Sequence, residues 1–105
     1  MNTLFVINAA FNTGQIVATR GVFDLACENP EFAHFIQKSL NRHVKGDWGD
    51  VDKGDKEAND QALKEDTRLL SAYNDARFPK NGVATIWIIT EADRSATTIL
   101  FPDEY

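Results

Sequence analysis

The chain has 105 residues, of which 43% are hydrophobic and 26% charged, with seven Phe and two Trp. That balance excludes a disordered or fibrous chain and suits one domain with one core, in which roughly two thirds of the unfolded surface can be buried. A formal charge of −5 excludes the overall basic field that grips a nucleic-acid backbone, though not a local basic pocket.

Cys27 is the single cysteine, so an intramolecular disulfide, a zinc ribbon and a CxxC pair are all ruled out, and a reducing, cytoplasmic setting is expected. The start, MNTLFVINAAFN, has no basic n-region, and the apolar stretch from Val83 to Ile89 is too short to cross a bilayer. Neither secretion nor membrane insertion is expected. Residues 47–66 hold eight acids against three bases, which accounts for the whole net charge.

In chain order, Leu4–Ile7 and Gln15–Thr19 are β-rich runs separated by Asn12-Thr13-Gly14, which predicts two strands joined by a turn. Val22–Cys27 predicts a short helical turn. Asn29-Pro30-Glu31 then supplies a cap, a first-turn proline and an acid at the positive end of the dipole. Phe32, Phe35, Ile36, Leu40 and His43 follow at three- and four-residue spacing, predicting a helix that ends near Gly46. Asp52–Glu65 predicts a second, exposed helix whose thin apolar face is Ala58, Ala62 and Leu63.

Arg68–Asn74 alternates, with Leu70 and Ala72 on one side and Ser71 and Tyr73 on the other. Phe78-Pro79-Lys80-Asn81-Gly82 predicts a turn, and Val83–Thr90 a central strand covered on both faces. Thr97–Phe101 alternates again. The expected fold is a single α+β domain over residues 1–105, of order ββααβββ, with a helical layer on one mainly antiparallel sheet. Its expected core is Phe32, Phe35, Ile36, Leu40, Leu70, Ile86, Ile88, Ile99 and Phe101.

Gly14-Gln15-Ile16-Val17-Ala18-Thr19, Arg42-His43 with Gly46-Asp47-Trp48-Gly49, Leu69-Leu70-Ser71-Ala72-Tyr73, and the run Ile86–Ser95 through Phe101-Pro102-Asp103-Glu104-Tyr105 together carry a resemblance. The chain resembles a family of small bacterial proteins labelled plasmid-related, carried on plasmids and integrating conjugative elements. The resemblance covers nearly everything from Gly14 and implies an accessory role on a mobile element, without an established activity. Asp66 departs from the pattern, standing where relatives often carry Gly. Some relatives bear a label from the modification subunit of type I restriction systems. A methyltransferase of that class needs a glycine-rich loop and an Asn/Asp-Pro-Pro-aromatic element, and this chain has neither.

Polar residues concentrate in the same segments. His43 is the candidate acid or base, because its ordinary pKa lies near neutrality; the plainer reading is a packed histidine at a helix end. Arg68 and Arg94 are the candidate phosphate-neutralising partners should the protein be a nuclease, assisted by Thr90, Glu91 or Tyr73. Arg42, Asp47, Trp48, Thr90, Glu91 and Asp93 are the candidate binding residues, with Trp48 either a stacking platform or a buried anchor. Arg94 is expected either to grip an anion or to pair with Asp93, Asp47 or Asp50. No Walker loop, dinucleotide fingerprint or metal-ligand motif occurs, so no cofactor and no metal are expected.

Two functions fit. One is a non-enzymatic domain binding an unidentified macromolecule, a protein more readily than a nucleic acid, with no membrane partner. The other is a small ribonuclease or toxin of the barnase and RelE-like kind. A homodimer is a third arrangement, expected if Thr97–Phe101 is an edge strand.

Overall fold

The computed structural model describes residues 9–79 and 84–105; the expected strand Leu4–Ile7 and the expected turn and strand entry over 80–83 lie outside them. The elements are β1 (Gln15–Ala18), α1 (Arg20–Glu28), α2 (Pro30–Val44), α3 (Lys53–Glu65), β2 (Leu69–Asn74), β3 (Thr85–Thr90) and β4 (Ala96–Leu100), then a 3₁₀ turn at Pro102–Glu104. The sheet runs β1-β4-β3-β2, with β1 parallel to β4 and the other pairs antiparallel. The fold is α+β, and the described order is βαααβββ.

The extra helix is α1, where the sequence predicts only a turn. Its N-cap, Thr19, makes no side-chain cap of its own. The cap comes from the other end of the chain: Glu104 accepts from the Thr19 hydroxyl at 2.6 Å and from the Gly21 amide at 3.0 Å. A carboxylate there meets unpaired N–H groups and the positive end of the helix dipole.

Helix α2 starts as its local signals dictate. The Asn29 side chain accepts from the Glu31 and Phe32 amides at 3.0 and 3.2 Å, and Pro30 fills the first helical position. Asn29→Ala is expected to lower stability by about 0.5–2 kcal/mol in a urea melt. An unchanged midpoint would show that the cap contributes nothing.

Phe32, Ile36, Leu40 and Val44 of α2 are fully buried with Val22 of α1, Ile88 of β3 and Ile99 of β4. Phe32 stacks on Phe101 and meets Phe78 edge-on, with ring centroids 5.8 and 5.2 Å apart. Two expected core residues differ. Phe35 is partly buried against the cluster, and Leu70 is only partly buried because the phase of β2 is reversed: Leu69, Ser71 and Tyr73 are the residues of β2 at 0% exposure. On α3 the inward groups are Asn59 and Ala62, whereas Ala58 is exposed.

Asn59 explains how the β2 edge is closed. Its amide donates to the Leu70 carbonyl at 2.7 Å and its oxygen accepts from the Leu70 amide at 3.1 Å. The next outward pair, on Ala72, is taken by Trp48 and Asp50 of the α2–α3 loop, and the Asn74 amide by the Asp50 carboxylate. Edge groups that would template another strand are thereby satisfied. At the far end of α3, Asp66 is the C-cap at φ 54. A left-handed position there favours glycine, so Asp66 carries a backbone cost that Gly would not.

Strand β4 is not an edge, since β1 and β3 flank it, so the expected pairing of Thr97–Phe101 across a two-fold axis has no free strand to use. Strand β3 carries the helices on one face. On the other, Trp87 meets the ring of Tyr105 at 5.8 Å.

Candidate functional site

The last turn of α2 brings His43 over the sheet, where it is 0% exposed. One ring nitrogen, Nδ1, meets the Ser71 hydroxyl and the other, Nε2, lies 2.9 Å from the Thr90 hydroxyl. Thr90 continues to Thr97 at 2.8 Å, and Thr97 donates to the Thr13 carbonyl at 2.7 Å. This buried chain has a direction. The Thr13 carbonyl only accepts, so the single Thr97 proton is spent on it and Thr90 must donate to Thr97. With its proton used, the Thr90 oxygen accepts from His43, which places the ring proton on Nε2 and makes Nδ1 the acceptor for Ser71. Burial drives the His43 pKa down to about 3, so the ring is neutral.

Around this chain the segment 42–50 folds onto itself. Amides of Lys45, Gly46 and Asp47 take the carbonyls of Arg42 and His43, so the helix end leaves these acceptors satisfied by backbone. Arg42 donates to both Asp47 oxygens, at 2.8 and 3.2 Å, and lies 5.0 Å over the Tyr73 ring. That hydrogen-bonded guanidinium holds the Asp47 carboxyl below its usual range. Burial pushes the Tyr73 phenol upward, and its hydroxyl donates to the Asp47 carbonyl at 2.6 Å. Trp48 is a buried anchor packed with Ala62 and Leu69, and its indole donates to Asp60 at 2.9 Å.

Arg94, expected either to grip an anion or to pair with a nearby acid, instead closes backbone. At φ 60 it turns back to donate to the carbonyls of Thr67, Glu91 and Ala62, at 2.7, 3.1 and 3.3 Å. Its guanidinium rests 5.8 Å from the Phe11 ring, and Phe11 in turn touches His43 and Trp48 with centroids 5.5 and 6.3 Å away. Asp93 accepts from the Ser95 amide in the same corner, and Glu91 is exposed beside it. Arg42, His43, Asp47, Trp48, Thr90 and Arg94 thus belong to one neighbourhood linked through Phe11 and Tyr73.

Arg68 stands apart. It stacks 5.0 Å over Tyr105, which meets Trp87, and Trp87 alternates with the helix-facing Ile86 and Ile88. Arg68 therefore serves the sheet face opposite His43.

Comparison with protein-family models, curated proteins and solved structures finds no match. Among the described residues no cluster of His, Cys, Asp or Glu could hold a metal ion, and no helix is long and apolar enough to cross a membrane.

Solvent does reach a neighbouring groove of about 210 Å³ between α2 and the end of β2. Arg42 is shared with the buried neighbourhood, while His34, Lys38, Ser39 and Arg77 are lining residues that the sequence reading passes over. Their signal was present in part, since His34, Lys38 and Arg42 recur every four residues along one stripe of α2.

Proposed function

We propose that the protein is a non-enzymatic domain that binds another macromolecule, a protein in preference to a nucleic acid, in the service of a bacterial mobile element. The observation that carries this reading is the enclosure of His43. A general acid or base must come within hydrogen-bond reach of its substrate. His43 is 0% exposed, with Ser71 and Thr90 on its two nitrogens. The two arginines a nuclease would recruit are committed elsewhere, Arg94 to three carbonyls and Arg68 to the opposite sheet face. Residues of this kind build a scaffold. The acidic segment 47–66 weighs against a phosphate backbone as partner.

The test has two arms. A fluorogenic RNA mixed with the purified protein should show no turnover that His43→Gln removes; turnover lost in that variant with its melt unaltered would establish the small-nuclease reading instead. In the second arm, tagged protein expressed in a bacterial host should retain a protein partner at fixed stoichiometry after nuclease treatment. A complex that nuclease dissolves would overturn the preference for protein.

A further inference from the structure

The two edges of the sheet are finished differently. On β2, Asn59 takes both backbone groups of Leu70, Trp48 and Asp50 take those of Ala72, and the Asp50 carboxylate takes the Asn74 amide. Strand β1 forms the other edge. The Gln15 amide donates to the Ser95 carbonyl and the Thr19 amide, just past the strand, to the Ile99 carbonyl, so Gln15, Val17 and Thr19 turn their backbone groups toward β4. By the alternation of a strand, the N–H and C=O groups of Ile16 and Ala18 point away from the sheet. Among the described residues no hydrogen bond is made to them from that side.

Little on this edge discourages pairing. Gln15-Ile16-Val17-Ala18 holds neither a charge nor a proline, the residues that usually blunt an edge, and its one protection is that it is short. Helix α1 follows directly after Thr19 and carries Phe23, 46% exposed; Phe23 and Tyr105 are the large hydrophobic side chains left exposed among the described residues. An open strand with an uncovered ring on the next element suits a further strand.

We infer that β1 pairs with β1 of a second copy of this chain, antiparallel, across a two-fold axis at Val17. In that register Ile16 lies opposite Ala18 of the partner subunit and Ala18 opposite Ile16 of the partner subunit, so each outward N–H meets an outward C=O. An axis at Ile16 would bring in Gly14, whose amide the Asn12 side chain holds, and an axis at Ala18 would bring in Arg20, which is already helical. The Val17 register is therefore the one that uses every free group. A neutral strand offers no charge to select a foreign segment, whereas its own copy satisfies it completely. Because the axis stands normal to the sheet, both helical layers stay on one side and the two α1 helices flank the joint. The closed β2 edge leaves each chain one free edge, so association stops at two copies. The joint is short, which sets the expected Kd on the order of 1–100 µM. This self-pairing does not depend on the macromolecular partner proposed above.

Sedimentation velocity of the full chain from about 1 to 500 µM should show monomer giving way to dimer. Val17 meets its own copy at the axis, where side chains of a non-hydrogen-bonded pair come closest. Val17→Lys and Val17→Glu each set like charges face to face there and are expected to weaken the dimer about tenfold or more, while an equimolar mixture of the two recovers a heterodimer. Val17 is only partly buried, so a long charged side chain can extend into solvent. Ala18→Pro removes an outward donor without touching the bonds to β4, and serves if a Val17 variant does not fold. In the parent, exchange of the Ile16 and Ala18 amides should slow as concentration rises. A monomer throughout the range, a dimer that none of these variants weakens, or a mixture no tighter than either variant alone would overturn the inference. So would equal protection of both amides in the dilute monomer, which would mean that another segment of the same chain covers the edge.

Discussion

Lowering the pH from 6.5 toward 3 is expected to remove on the order of 5 kcal/mol of stability through His43 alone. Above pH 6.5 the ring is neutral in the folded and unfolded chains and contributes no pH dependence. Below it the unfolded chain takes up a proton that the folded chain refuses until about pH 3, because burial disfavours the charged ring. The unfolded state then binds more protons, so stability falls with pH, by about 1.4 kcal/mol for each unit. Domains of this size are stable by only about 5–15 kcal/mol, so a single ring accounts for much of the margin.

The three carboxylates with lowered pKa do not obscure the effect in the upper half of this window. Asp47, Asp75 and Asp93 are held below their ordinary value by Arg42, Arg77 and Ser95 respectively, so their contributions are present above pH 3.8 and lost only as pH falls through it. Urea melts between pH 6 and 4.5 should therefore report His43. His43→Gln is expected to be less stable at pH 7 but flat across that interval. Nitrogen NMR at pH 7 should find the proton on Nε2 with Nδ1 as acceptor. A slope that survives His43→Gln would disprove the assignment.

How much of this was legible depends on where each signal lies along the chain. Helix α2 was, because its cap, its proline and its apolar spacing all sit within fifteen residues of one another. Helix α1 was not, because the carboxylate that caps it is Glu104, 83 residues beyond the Gly21 amide it accepts from. The alternation of β2 was visible, but its inward face was misjudged: Ser71 outranks Leu70 there, since a buried imidazole needs a hydroxyl more than the core needs another leucine. The same reasoning holds at Arg94, where nearby acids suggest an ion pair while the folded chain needs its donors for three carbonyls. In the groove, the stripe His34, Lys38 and Arg42 was readable from spacing. Arg77 joins it from beyond β2, which no local pattern reveals.

Gly49→Ala is expected to cost at least about 4 kcal/mol or to prevent folding. Gly49 sits at φ 74, a left-handed conformation that costs an L side chain roughly 1–2 kcal/mol before any contact is considered. The added Cβ would lie 2.1 Å from the Ala72 carbonyl oxygen and 2.6 Å from two atoms of the Tyr73 ring. Neither neighbour is free to move. The Ala72 carbonyl accepts from the Asp50 amide at 2.7 Å, and the Tyr73 hydroxyl is tied to the Asp47 carbonyl. Relief therefore requires the 47–50 loop to lift from β2, which gives up both of these bonds, frees the Ala72 amide from Trp48 and loosens the indole that packs on Phe11 and His43. Gly54→Ala supplies the contrast, since its Cβ would meet only the Asp52 carboxylate at an ordinary 3.4 Å inside α3. Alanine there should be neutral or stabilising by up to about 1 kcal/mol. Denaturation followed by tryptophan fluorescence distinguishes the two, and a Gly49→Ala protein within 1 kcal/mol of the parent would mean that the 47–50 loop does not clasp the edge of β2.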